Sequence, residues 1–111
     1  MQTVVETQPF IRRAEKLLSK EEREELIEFL AFNPEAGDVV QGTGGVRKVR
    51  FAAKGKGKSG GVRVIYYFMD EDAPIFALLV YGKNEQANLT ADQKKAVKTI
   101  AETLKAERRR K

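Results

Sequence analysis

The longest apolar run of the chain, Ile75 to Tyr81, is the feature that most constrains the fold. All seven of its residues are apolar or aromatic, so both parities of the run are hydrophobic. This is the pattern of a strand that is covered on both faces of a sheet. A run of this length is also far too short to cross a bilayer as a helix. The sequence therefore predicts a central strand inside a globular domain.

Two further strand patterns come before this run. Val46 to Ala52 alternates between apolar and basic side chains, as expected of a strand with one buried face. Val62 to Met69 is a second strand pattern, and it is joined to the apolar run by the short connection Asp70 to Pro74. A connection of this length predicts an antiparallel hairpin. The predicted sheet is therefore small and mostly antiparallel.

Helix signals surround these strands. Thr7 is a candidate N-cap with Pro9 in the first turn, where a missing N–H does no harm. The segment Ser19 to Glu22 is a capping box that opens a second helix, and Pro34 ends it. A third helix begins at the capping box Thr90 to Gln93 and carries an apolar stripe with a 3.6-residue period.

With a short β-prone segment at residues 3–6, the predicted order is β-α-α-β-β-β-α. This order indicates an α+β fold, a small, mostly antiparallel sheet with helices packed on one face. We expect one domain over residues 1–107, followed by a basic C-terminal tail over residues 108–111.

Composition limits the chemistry that the chain can perform. Its 111 residues include neither cysteine nor histidine. This excludes thiolate chemistry and removes both the usual acid–base group at neutral pH and the commonest metal ligand. We therefore expect no metal and no small-molecule cofactor. The first residues lack the apolar core of a signal peptide, so we expect a cytoplasmic protein without a membrane partner. The sequence pI of about 9.6 favours nucleic acid as the partner.

The excess of positive charge is concentrated in one window of the chain. The window from residue 47 to residue 63 contains no acidic residue and seven basic ones: Arg47, Lys48, Arg50, Lys54, Lys56, Lys58 and Arg63. Without them the chain has 14 basic and 16 acidic residues, out of totals of 21 and 16. Clustered cations repel one another unless a polyanion neutralises them, so the window predicts a phosphate-binding segment. A solvated hairpin tip with lysines for solubility is the alternative interpretation.

The segment Gly55 to Gly60 also fits the pattern GxGxxG of dinucleotide-binding loops. Such a loop must lead from a strand into a helix, whose N-terminus holds the pyrophosphate. Here the segment joins one predicted strand to the next, so the context that the motif requires is missing. We therefore reject a nucleotide-binding function.

Arg63 favours anion binding over a purely solvated loop. It shares strand parity with Ile65 and Tyr67 and therefore lies on a partly apolar face, where an unpaired charge is costly. An internal ion pair with one of the glutamates is the alternative.

Two tyrosines, and the turn after the apolar run, each allow two interpretations. Tyr67 and Tyr81 could pack in the core or stack on unpaired bases beside a cationic groove. Lys83 and Asn84 follow the apolar run and could form either the end of that groove or an ordinary turn.

The run from Gly37 to Phe68, followed by ALLVYGKNE, closely resembles the RelE-like toxins of type II toxin–antitoxin systems, specifically the HigB branch. The resemblance implies a RelE/ParE-like fold, which agrees with the predicted element order. It also implies a ribosome-dependent mRNA endonuclease that cuts codons in the decoding site without a metal. In this reaction the 2′-hydroxyl attacks the adjacent phosphate and leaves a 2′,3′-cyclic phosphate. Cleavage of the mRNA inhibits translation.

The resemblance also assigns residues. The family carries two lysines two positions apart and an arginine seven positions later, and Lys54, Lys56 and Arg63 match this spacing. Lys83 corresponds to a later basic residue of the family, which completes the implied catalytic set. The residues expected to bind RNA are Lys58, Arg50, Lys48, Arg47, Asn84, Tyr81 and Tyr67. The base-stacking tyrosine of some members has no counterpart between residues 82 and 101. The implied partners are a helix-turn-helix antitoxin, mRNA and the bacterial ribosome.

Two other functions remain open at this stage. A non-catalytic RNA-binding or ribosome-associated module would keep salt-sensitive binding but would not cut mRNA. A gyrase-poisoning toxin of the same fold is the other, although the ParE branch generally lacks the lysine pair and the catalytic arginine.

Overall fold

A computed structural model describes residues 2–53 and 61–109 of the chain. The predicted lysines at positions 54, 56 and 58 lie outside the described residues. The elements in chain order are β1 (Val4–Glu6), α1 (Gln8–Leu17), α2 (Lys20–Phe32), β2 (Asp38–Val39), β3 (Val46–Phe51), β4 (Val62–Tyr67), β5 (Ile75–Gly82) and α3 (Ala91–Arg109).

The five strands form one sheet in the order β1-β5-β4-β3-β2. The pairs β2–β3, β3–β4 and β4–β5 are antiparallel, and β1 pairs with β5 in parallel. The apolar run is therefore an interior strand in an antiparallel hairpin, as predicted. The mixed α+β class with a mostly antiparallel sheet is also confirmed.

The sheet carries a hydrophobic core on each face. Helices α1 and α2 lie together on one face, where Phe10 and Leu26 pack against Val64 and other side chains of the sheet. Helix α3 packs through Val97 and Ala101 against the alternate side chains of the strands. Successive strand residues point to opposite faces, so α3 covers the face opposite to α1 and α2. The expectation of one helical face therefore describes the two N-terminal helices and not the third.

The predicted capping boxes explain where two of the helices begin. Ser19 and Glu22 exchange hydrogen bonds of 2.9 and 3.1 Å at the start of α2. Thr90 and Gln93 do the same at the start of α3, with distances of 3.0 and 3.1 Å. Thr7 precedes α1 but makes no side-chain cap. Its hydroxyl instead donates to the carbonyl of Ala77 at 2.9 Å, and so ties the helix start to β5.

Two features were not predicted from the sequence. The segment between α2 and β3, which we call the connector, contains β2, an edge strand of two residues that pairs with β3. Helix α3 continues to Arg109, and Arg108 forms an ion pair with Asp70 at 3.1 Å. Residues 108 and 109 therefore belong to the last helix rather than to a separate tail. Within the described residues, no helix has both the length and the apolar character needed to cross a membrane.

Tyr66 locks the connector after α2 to the sheet. Its buried hydroxyl accepts from the Gly37 N–H and donates to the Pro34 carbonyl, both at 2.8 Å. Burial raises the pKa of this hydroxyl, against the opposing effect of the Gly37 hydrogen bond.

Tyr66→Phe leaves a buried N–H without its partner, which we expect to lower the free energy of unfolding by about 1–3 kcal/mol. Urea denaturation tests this, with Tyr67→Phe as the control that should change less. Equal losses in both variants would contradict the assignment.

Candidate functional site

Helix α3 covers only one end of its sheet face. At that end Val46 of β3 and Tyr67 of β4 are opposite each other and buried beneath the helix. At the other end of the same two strands, Arg50 is exposed and Arg63 is half-buried. The open end of this face is therefore lined by cations. We call it the basic face: Lys48, Arg50, Arg63 and Tyr81, of which Tyr81 is buried in the core.

Three members of the basic face form a row across the sheet. Arg50 is opposite Arg63 in the β3–β4 register, and Arg63 is opposite Tyr81 in the β4–β5 register. Side chains directly opposite each other lie about 4.5–5.5 Å apart at their Cβ atoms and interact, and like charges in such a position are destabilising. The register thus places two arginines at directly opposite positions of neighbouring strands. Such an arrangement can hold an anion with bidentate hydrogen bonds.

Lys48 lies on the same face, one pleat closer to α3. Its Nζ donates to Oδ1 of Asn88 at 3.2 Å, so the segment leading into α3 borders the basic face. Sequence reasoning did not single out Asn88, because nothing in the local pattern indicates that it approaches β3.

The turn after β5 places Lys83 and Asn84 at the same edge of the sheet as Arg63, and both side chains are exposed. The Lys83 N–H donates to the carbonyl of Gly61 at 3.2 Å, so the turn is hydrogen-bonded to the residue that comes just before β4. Arg63 and Lys83 therefore lie on neighbouring segments that are joined by a backbone hydrogen bond.

Glu85 holds this turn in place, and sequence reasoning missed it. One carboxylate oxygen accepts from the Gly82 N–H at 2.7 Å, and the other forms an ion pair with Arg13 of α1. The turn is thereby anchored to α1 as well as to β4. The signal was weak, since an acidic residue in a turn is common and its partner is distant in sequence.

Arg47 does not belong to the basic face, contrary to the expectation. It is opposite Tyr66, whose side chain points to the face covered by α1 and α2. Its guanidinium donates to the Gly37 carbonyl at 2.7 Å, and so supports the connector that Tyr66 also holds. The alternation along β3 already indicates this position, because Arg47 is an odd-numbered residue and therefore lies on the face opposite to Lys48 and Arg50.

The two tyrosines expected to stack on bases are both inside the core. Tyr67 is 3% exposed and Tyr81 is 1% exposed, so neither ring presents a free face. Burial raises the pKa of both hydroxyls, and in Tyr81 the positive charge of Arg63 opposes that effect. The packing interpretation therefore applies to the rings, and the base-stacking expectation for these two residues is corrected.

Residues 54–60 lie between Ala53 and Gly61 in the sequence. Lys54, Lys56 and Lys58 lie in this segment, outside the described residues. Within the described residues, no group of histidine, cysteine or acidic side chains is arranged to hold a metal ion.

Comparison with known proteins bears on the family and the fold of this chain. Residues 3–111 match the family model described as the RelE toxin of the RelE/RelB toxin–antitoxin system. A solved structure with a similar fold is that of a double arginine-to-alanine mutant of the E. coli toxin RelE in the free state. The two chains share 20% sequence identity with a TM-score of 0.54, over 78% of this chain and 87% of the other. The fold match and the family match over almost the whole length lead to one conclusion: this chain belongs to the RelE toxin family of type II toxin–antitoxin systems.

Proposed function

We propose that this protein is a ribosome-dependent mRNA endonuclease that cleaves codons in the decoding site. The observation that carries the proposal is the pairing of Arg50 with Arg63 across the open end of the basic face. Two arginines at opposite positions of neighbouring strands can both donate hydrogen bonds to one phosphate. The family membership supports RNA in translation as the source of that phosphate.

In the proposed reaction the ribose 2′-oxygen attacks the adjacent phosphorus while a base removes its proton. The bond from phosphorus to the 5′-oxygen breaks, and that oxygen takes up a proton from water or from a neighbouring lysine. The products are a 2′,3′-cyclic phosphate and a 5′-hydroxyl, with no metal required. In a chain without histidine the base is a lysine, with Lys54 and Lys56 as the candidates. A lysine can accept a proton near neutral pH where neighbouring cations favour its neutral form.

Arg63 has a separate role in this scheme. The phosphorane in the transition state carries more negative charge than the substrate, and a planar guanidinium can donate two parallel hydrogen bonds to it. Lys83 stands on the adjacent segment, where its ammonium group can neutralise charge on the phosphate or on the leaving oxygen. Lys48, Arg50, Lys58 and Asn84 are proposed to hold the RNA backbone.

We assign the chain to the HigB branch within the family, on the resemblance of residues 37–68. A toxin of this kind needs an inhibitor, and we propose a helix-turn-helix antitoxin encoded as its partner. Co-expression and co-purification with the product of the adjacent open reading frame, followed by a cleavage assay, test the antitoxin partner. A partner that leaves cleavage uninhibited would contradict it.

Primer extension on mRNA from cells that express the protein tests the proposed activity. We expect new 5′ ends only within translated regions, in register with codons, and none when initiation on that mRNA is blocked. Purified protein should give the same cuts on ribosomes that are programmed with this mRNA and have a vacant decoding site. Binding to ribosomes should weaken steeply with salt, since it depends on phosphate contacts.

The other functions give different results in this experiment. A non-catalytic RNA-binding module would bind ribosomes with the same salt dependence and produce no new 5′ ends. A gyrase poison would produce DNA breaks and leave the mRNA intact. Either result would overturn the proposal.

A further inference from the structure

Tyr81 has a buried hydroxyl without a hydrogen-bond partner in the structure. The side chain is 1% exposed, and Oη is the one buried side-chain polar atom among the described residues that lacks such a partner. The comparison with Tyr66 is direct, because that hydroxyl is equally buried and makes two hydrogen bonds of 2.8 Å. Buried polar groups are normally paired, so an unpaired one in a well-packed core calls for a physical explanation.

The position of Tyr81 provides one. It is directly opposite Arg63 in the β4–β5 register, on the same face of the sheet, beside the half-buried stem of that arginine. The two side chains are also coupled electrostatically, since the charge of Arg63 lowers the pKa of Tyr81 against the effect of burial. The residue with the unpaired hydroxyl is therefore the register partner of the residue that we assign to transition-state binding.

We propose that Tyr81 is a positioning residue, whose hydroxyl oxygen accepts a hydrogen bond from the Arg63 guanidinium when an oxyanion occupies the basic face. The identity of that oxyanion as an RNA phosphodiester rests on the proposed function. A guanidinium has five N–H donors, so two can bind a phosphate while another donates to Tyr81. That third bond would fix the plane of the guanidinium, and with it the direction of the bidentate pair. In the loaded site the Tyr81 hydroxyl would thus gain the partner that it lacks in the structure.

The first test needs no catalysis. Thermal denaturation of the wild type and of Tyr81→Phe is measured with and without inorganic phosphate at constant ionic strength. Without phosphate, the variant should melt at the same temperature or up to about 5 °C higher, because it loses no hydrogen bond and removes an unpaired polar atom. With phosphate, the melting temperature of the wild type should rise more than that of the variant. Equal shifts in the two proteins, including no shift in either, would overturn the inference.

The second test measures single-turnover cleavage on programmed ribosomes. Tyr81→Phe should lower the rate roughly ten- to a hundred-fold with a much smaller effect on half-saturation, because a misdirected guanidinium costs most in the transition state. Tyr66→Phe is the matched control, since it removes an equally buried hydroxyl on the opposite face and should cleave at the wild-type rate while folded. Cleavage by Tyr81→Phe at the wild-type rate would refute the positioning role.

A double-mutant cycle shows whether Tyr81 acts through Arg63. In an Arg63→Lys background the further change Tyr81→Phe should have little effect, since an ammonium has no plane to fix. Independent, multiplicative losses would mean that the hydroxyl does not act through Arg63. If the wild type cleaves no mRNA, the proposed function fails, and the phosphate experiment still decides the role of Tyr81.

Discussion

Replacing Arg63 with alanine should reduce mRNA cleavage by about a hundred- to a thousand-fold, the usual cost of losing a preorganised donor to a developing oxyanion. Growth arrest on induced expression should disappear with it. Arg63 is half-buried rather than fully buried, so we expect its truncation to cost some stability without unfolding the protein. Circular dichroism and urea denaturation should therefore show a folded protein.

Two further substitutions make this result specific. Arg12→Ala removes the same charge from an exposed position on α1 and should leave cleavage unchanged. Arg63→Lys keeps the charge but not the planar pair of donors, and should fall between alanine and the wild type. Undiminished toxicity in folded Arg63→Ala would remove Arg63 from the mechanism.

Gly61→Ala should be among the most destabilising single changes near the site. Gly61 has φ +73°, a conformation that side chains rarely adopt, and a Cβ there would lie 2.4 Å from the Phe51 carbonyl oxygen. The backbone must shift, so we expect a loss of about 2–4 kcal/mol in the free energy of unfolding. Gly61 also accepts the hydrogen bond from Lys83, so cleavage by the remaining folded protein should fall as well.

Gly42→Ala separates conformational strain from steric conflict. Gly42 has a similar φ of +78°, but a Cβ there would meet only the end of the Lys94 side chain at 3.4 Å. Its cost should be limited to the strain of the left-handed backbone, about 1 kcal/mol. Equal losses in Gly42→Ala and Gly61→Ala, measured by urea denaturation, would show that the contact with Phe51 is not tight.

The elements that sequence predicted well are those with local signals. The capping boxes at Ser19 and Thr90 are complete within four residues, and both helices begin where those motifs place them. The alternation in β4 correctly placed Arg63 on the face of Ile65 and Tyr67. In each case neighbouring residues determine the geometry, so a single sequence is enough.

The features that sequence missed depend on distant partners. The edge strand β2 is only two residues long and exists because β3 offers it hydrogen bonds. The position of α3 on the second face could not be read from its own stripe, since a stripe does not say which surface it meets. Within the site, the burial of Tyr81 and the bracing of the turn by Glu85 and Arg13 likewise require the assembled fold.

The parallel pairing of β1 with β5 has a consequence for how the protein is made. Val4 finds its partner Ile75 only after about seventy further residues have been synthesised. Until then the first strand has no neighbour, and β4, which carries Arg63, lacks one of its two flanking strands. A nascent or truncated chain that ends before Ile75 cannot assemble the row of Arg50, Arg63 and Tyr81. The row of Arg50, Arg63 and Tyr81 is therefore complete only when most of the polypeptide has been synthesised.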